Sequence, residues 1–136
     1  MDENQVIWQE LRTKQNNLDS LDERNRSIRQ QREKQFEDLQ QKRNQLLYMM
    51  EGKYQMMQHY LGQVDVDTTE ERARLNRIAS DFSQAVSMGY TRNQRTLEQR
   101  IENEEIEYRR ERRKLEDDID TLHRKKMKLN QEKRKG

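Results

Sequence analysis

The strongest constraint on the fold is that the few apolar residues of this chain recur at alternating intervals of three and four. In the first half, ten of sixteen positions on two seven-residue series are apolar, about twice the chain average of 29%. Such spacing places side chains along one face of a helix that packs on another helix. The two series are Leu11, Leu18, Asn25, Arg32, Leu39, Leu46, Lys53 and Tyr60, and Ile7, Lys14, Leu21, Ile28, Gln35, Lys42, Met49 and Met56.

The second half shows the same pattern in a weaker form. One series is unbroken, whereas its companion contains Leu97 and Ile119 but also Glu104 and Glu111. Proline is absent and the formal net charge is only +2, which favours ordered helix over disorder. We therefore predict two long amphipathic helices. The unbroken series is Ile101, Tyr108, Leu115, Leu122 and Leu129.

The helices are predicted to be joined by one turn after Gly62. Gly62 suits the left-handed end of a helix, and Thr68 with Glu71, or Asp67 with Glu70, has the spacing of a capping box. The prediction is a single all-α domain, an elongated antiparallel hairpin resembling a coiled coil, with arms at about 3–61 and 69–133 and a turn at about 62–68.

A second break is predicted as an alternative near Gly89. Gly89 has the residue type of a helix end, and Thr91 has the type of a cap. We favour a continuous helix whose apolar face changes phase, and keep a kink or short loop as the other interpretation.

Composition argues against an enzyme. The 136 residues carry too little apolar surface for the closed core of a compact enzyme, and cysteine is absent. His59 and His123 lie in different arms, and neither stands out with a metal-ligand partner. No apolar run approaches the length of a membrane span, and the N-terminus lacks a signal-peptide pattern. We expect no catalytic residues, no metal and no cofactor.

The apolar residues crowd the half nearest the turn beyond what one hairpin can bury. Residues 46–50 are consecutive and apolar, so they point all around a helix. Exposed apolar surface usually marks interaction sites, although the same residues could form the hairpin's own core. The predicted partner-binding residues of this half are Leu46, Leu47, Met49, Met50, Met56, Met57, Tyr60, Phe82, Val86 and Tyr90.

Two terminal features are further candidates for partner binding. Trp8 is either an interface anchor or a seam residue. Residues 123–136 are strongly basic and include Arg124, Lys125 and Lys126. Aromatic residues for base stacking are missing around them, so we expect docking on an acidic protein partner rather than nucleic acid or membrane.

The segment from Arg109 to Lys126 leads from Arg/Glu-rich sequence into Leu115-Glu116-Asp117-Asp118-Ile119-Asp120 and then a basic end. Together with the Leu/Gln/Arg-rich first arm, it resembles the small helical accessory proteins encoded beside LXG-domain toxins of Gram-positive type VII secretion systems. The resemblance implies a non-enzymatic targeting chaperone that binds the N-terminal helical domain of a toxin, with a second small accessory protein as a further partner. It implies a cytoplasmic location, with co-export without a cleavable signal peptide as an option. The turn lacks the Trp-X-Gly motif of the WXG-type secreted proteins.

Two alternatives are compatible with the same pattern. The stalk proteins of type III and flagellar export ATPases are also two-helix antiparallel coiled coils of similar length. A structural coiled coil that dimerises through its methionine-rich region is the other alternative.

Overall fold

The computed structural model describes residues 2–135, which form two long helices. Helix α1 spans Glu3–Gln63 and helix α2 spans Thr69–Lys135. Both consist largely of good helix formers, without a proline to interrupt the hydrogen-bond ladder. The helices pack against each other, which confirms the predicted all-α hairpin.

The predicted glycine cap is wrong, because α1 continues through Gly62 to Gln63 and no described glycine has a positive φ. At the other end of the turn, the side chain of Asp67 caps the start of α2. Its Oδ1 accepts hydrogen bonds from the Thr69 hydroxyl at 2.6 Å and the Thr69 backbone N–H at 3.1 Å. These two bonds lower the pKa of Asp67. The Thr68 carbonyl accepts from the Arg72 backbone N–H at 2.9 Å and closes the first turn.

Helix α2 is continuous through Gly89, as the favoured interpretation predicted. A Cβ atom added at Gly89 would meet no atom within 4 Å. Acidic residues occupy the first turn of α2 and basic residues its last turn, and both complement the helix dipole.

The chain divides into two compact units. In the terminal unit, the chain up to Gln31 packs with the chain from Arg100 onward. Its buried residues on α1 are Ile7, Leu18 and Leu21, and these lie on the predicted seven-residue series. Cross-helix ion pairs flank them, with Lys14 Nζ 3.3 Å from Asp118 Oδ2 among the contacts. The others join Arg24 to Glu111, Arg29 to Glu105, Arg112 to Asp22 and Lys133 to Asp2.

The turn unit comprises Arg32–Gln99, and here the predicted seven-residue seam holds at Arg32 and Leu39 but is wrong beyond Leu39. The partly buried residues of α1 recur at four, four and three, a period of eleven. Eleven residues in three turns match a straight helix more closely than seven in two turns. The partly buried positions on α1 in this unit are Arg32, Phe36, Leu39, Arg43, Leu47, Met50, Tyr54, Gln58 and Leu61. The exposed members of the predicted series are Gln35, Lys42, Leu46, Met49, Lys53, Met56 and Tyr60.

Helix α2 follows the same eleven-residue period in this unit. Leu75, Val86 and Leu97 are eleven residues apart, and so are Ala79 and Tyr90. All five are at least partly buried. The agreement between the two helices shows that the seam of the turn unit has its own period.

Candidate partner-binding surface

A row of large apolar side chains on α1 lies outside the seam of the turn unit. We call this row the exposed stripe; four of its five members lie on the predicted seven-residue series, and Met57 follows Met56 beside them. Its side chains keep a large exposed fraction despite being apolar. The stripe consists of Leu46 (37% exposed), Met49 (47%), Met56 (74%), Met57 (47%) and Tyr60 (60%).

The exposed stripe runs along one flank of α1. Each residue advances about 100° around a helix, which places the stripe roughly a quarter turn or more from the line through Leu47, Tyr54 and Gln58. Lys53 occupies the seven-residue position between Leu46 and Tyr60 and is exposed. The stripe is therefore apolar with one central ammonium group.

Helix α2 adds a second row on the same side of the turn unit. Ile78, Phe82, Ala85 and Gly89 are spaced four, three and four apart, as on one helix flank. Ile78 and Ala85 are exposed, and Phe82 and Gly89 are partly buried. Because the helices run antiparallel, this flank of α2 and the exposed stripe border one face of the hairpin. We call it the apolar face.

The seam of the turn unit includes a polar contact between the two helices. The Tyr54 hydroxyl donates to Asn76 Oδ1 at 2.5 Å and accepts from Gln58 Nε2 at 2.7 Å. The first bond joins α1 to α2, and the second lies within α1. Most of the large uncovered side chains of this unit lie on the apolar face, whereas Tyr48, which is 83% exposed, lies on the other flank of α1.

The structure divides the predicted binding residues into two sets. The exposed set comprises Trp8, Leu46, Met49, Met56, Met57, Tyr60, Arg124 and Lys125. The partly buried set comprises Leu47, Met50, Phe82, Val86, Tyr90 and Lys126. Leu47, Met50, Val86 and Tyr90 belong to the seam, so they build the hairpin itself. The binding role of the exposed set stays a prediction.

Trp8 lies outside the seam of the terminal unit. It is 53% exposed, whereas its neighbour Ile7 is buried. The Arg12 guanidinium lies over the indole, 5.5 Å from the ring centroid, which is a cation–π distance. The interpretation of Trp8 as a seam residue is therefore wrong, and its role as an anchor stays a prediction.

A polar cluster that no sequence pattern indicated joins the helices of the terminal unit. Asp22 Oδ1 accepts from the Tyr108 hydroxyl at 2.6 Å and from Arg112 Nε at 3.1 Å. Arg112 also contacts Glu116. The hydrogen bond from Tyr108, followed by that from Arg112, lowers the pKa of Asp22, and the bond to Asp22 raises the pKa of Arg112. The predicted antiparallel hairpin, with its turn at about 62–68, was the signal that could have brought these residues together.

This cluster has the chemistry of a structural contact. Asp22 and Arg112 are each about one third exposed, and no described His, Cys, Asp or Glu group could hold a metal ion. Within the described residues, no helix is long and apolar enough to cross a membrane.

Comparison with known proteins assigns no function to the apolar face. No family model, no curated protein and no solved structure matches this chain.

Proposed function

We propose that this protein is a non-enzymatic adaptor that binds another α-helical chain through the exposed stripe. The observation that carries the proposal is the exposure of five large apolar side chains on one flank of α1. Burial of apolar surface is the main driving force of helix association in water. Methionine, which supplies three of the five, adapts its shape to irregular partners.

We further propose that the partner is the N-terminal helical domain of an LXG toxin, which the adaptor delivers to a type VII secretion system. The support is the resemblance of the segment from Arg109 to Lys126 to the accessory proteins of these toxins. In this proposal the adaptor acts in the cytoplasm, and the complex is a candidate for joint export.

Co-expression with the neighbouring LXG protein tests this proposal. We expect the two chains to co-purify as a stable complex through affinity capture and gel filtration. Purification of the two chains as separate species would reject the toxin as the partner.

A pair of matched variants tests the surface. Met49→Lys combined with Met57→Lys should reduce toxin capture, because two ammonium groups would have to be desolvated in an apolar contact. Tyr48→Lys is the control, since Tyr48 is 83% exposed and lies on the other flank of α1. Far-ultraviolet circular dichroism should show unchanged helicity in both proteins. Equal loss of capture in both would contradict a role for the exposed stripe.

A further inference from the structure

The apolar face of the turn unit has the form of a docking groove between two helices. We propose that it receives one amphipathic helix of a partner chain that carries a carboxylate opposite Lys53, and that the three helices form a bundle. This inference rests on the proposed function and specifies the chemistry of the partner helix.

The spacing of the exposed stripe indicates how the apolar residues of the partner helix should be spaced. Leu46, Met49, Lys53, Met56 and Tyr60 follow one another at three, four, three and four residues. This is the spacing of a left-handed coiled-coil seam. The hairpin's own seam in this unit has a period of eleven, so α1 presents two different periods on two flanks. The stripe extends over about 21 Å, which matches two heptads of a partner helix.

The flank of α2 lets a third helix approach closely. Ala85 and Gly89 present almost no side chain, and the space around Gly89 is open to 4 Å. Ile78 stands at the turn-facing end of the same row and is 60% exposed. A helix placed between the stripe and this row would contact large side chains on one border and small ones on the other.

The charged residues around the stripe indicate the charge expected on the partner helix. Lys53 lies at the centre of the stripe, Lys42 precedes it on the same flank of α1, and Arg92 follows Gly89 on α2. Two carboxylates lie on the same flank of α2: Glu71 nearer the turn, and the exposed Asp81 at the outer edge between Ile78 and Ala85. A carboxylate on the incoming helix would pair with Lys53 once surrounding apolar contacts exclude water, where charge pairs gain strength.

The same lysine disfavours a second copy of this chain as the occupant. Lys53 is the midpoint of the stripe, so a two-fold dimer packed through it would place Lys53 against Lys53 of the other copy. This holds for parallel and antiparallel arrangements in register. Like charges in apposition at a buried centre oppose association.

Two labelled synthetic peptides test the groove directly. Each has about three heptads with leucine at the a and d positions, and they differ only in a central Glu or Lys at one a position. Fluorescence anisotropy should show the Glu peptide binding at least about tenfold more tightly than the Lys peptide. Lys53→Glu should reverse that preference. Lys34→Glu, which is 19 residues and so about 28 Å from Lys53 along α1, should leave it unchanged.

The outcomes distinguish this inference from the proposed function. Equal affinity of the two peptides, or an unchanged preference in Lys53→Glu, overturns the groove. Sedimentation equilibrium showing a dimer of the protein alone that Met57→Lys dissociates also overturns it, because the occupant is then a second copy. A toxin domain that binds wild type and Lys53→Glu equally overturns the groove and leaves the adaptor function standing. Discrimination between the peptides without a toxin complex supports the groove and rejects the toxin.

Discussion

Two adjacent methionines of α1 distinguish the eleven-residue seam from a continued seven-residue seam. Met50 lies partly buried in the seam, whereas Met49 is 47% exposed on the stripe. Replacing a fully buried methionine with a smaller residue costs about 2–5 kcal/mol. Because Met50 is only partly buried and a lysine stem can reach water, we expect Met50→Lys to lower the free energy of unfolding by about 1–2 kcal/mol. Met49→Lys should change it by less than about 0.5 kcal/mol.

Urea denaturation followed by far-ultraviolet circular dichroism measures both effects. Met50→Lys should lower the urea midpoint with an unchanged slope, which reports a loss of stability rather than a change of denatured state. Partner capture should show the reverse order, with the larger loss in Met49→Lys. If Met49→Lys destabilises the protein as much as Met50→Lys, the seven-residue seam continues to Tyr60. In that case the exposed stripe belongs to the hairpin core, and the proposal of a binding face is wrong.

Three further changes test the helices and the polar cluster. Gly89→Ala should raise the free energy of unfolding by about 1 kcal/mol, since Gly89 is helical and its surroundings are open; a decrease would contradict the uninterrupted α2. Tyr108→Phe should lower that free energy by about 1 kcal/mol through loss of the hydrogen bond to Asp22, and in an Asp22→Asn background the effect should shrink. The depressed pKa of Asp22 means that its contribution is present above about pH 4 and is lost as pH falls through the folded-state pKa. The stability difference between wild type and Asp22→Asn should therefore diminish in acid, and a constant difference would contradict the ionised pairing.

The hairpin could be predicted from sequence because its determinants are local and repeated. Proline is absent, apolar residues recur at helical spacing, and Gly62 to Thr69 holds the one dense cluster of turn and capping residues. The observed helices end at Gln63 and begin at Thr69, within two residues of the expected arms. The cross-helix pair of Lys14 with Asp118 lies close to the register expected for a chain folded near residue 65.

The seam of the turn unit could not be predicted because the sequence satisfies two periods at once. Leu46-Leu47, Met49-Met50 and Tyr60-Leu61 are pairs of adjacent apolar residues. The first member of each pair fits the seven-residue series, and the second fits the eleven-residue series. The pattern of apolar and polar positions along α1 therefore does not determine which of the two periods the seam follows. The choice is made by packing against Leu75, Val86 and the other seam residues of α2, which are distant in sequence.

The polar cluster escaped prediction for a related reason. Asp22 and Arg112 each have several charged residues nearby with which they could form an ion pair. A turn predicted at about 62–68 fixes the register between the two helices only to within a few residues. Such an uncertainty is comparable to one helical turn, which is enough to exchange one partner for another. The cap at Asp67 was predicted only as one of two alternatives, since Thr68 and Asp67 have equally suitable side chains.

The paired apolar residues are themselves an argument for a partner. In the terminal unit, the residues that follow Leu18 and Leu21 are aspartates and the neighbours of Leu11 are charged, so α1 offers one apolar face between Leu11 and Leu21. That arrangement closes a hairpin, as the buried residues and cross-helix ion pairs of this unit show. In the turn unit, the second apolar residue beside Leu47, Met50 and Leu61 adds nothing to such a hairpin, because it stays in contact with water. It contributes free energy only when another helix covers it, and the seven-residue spacing of the exposed members is the spacing that a covering helix requires.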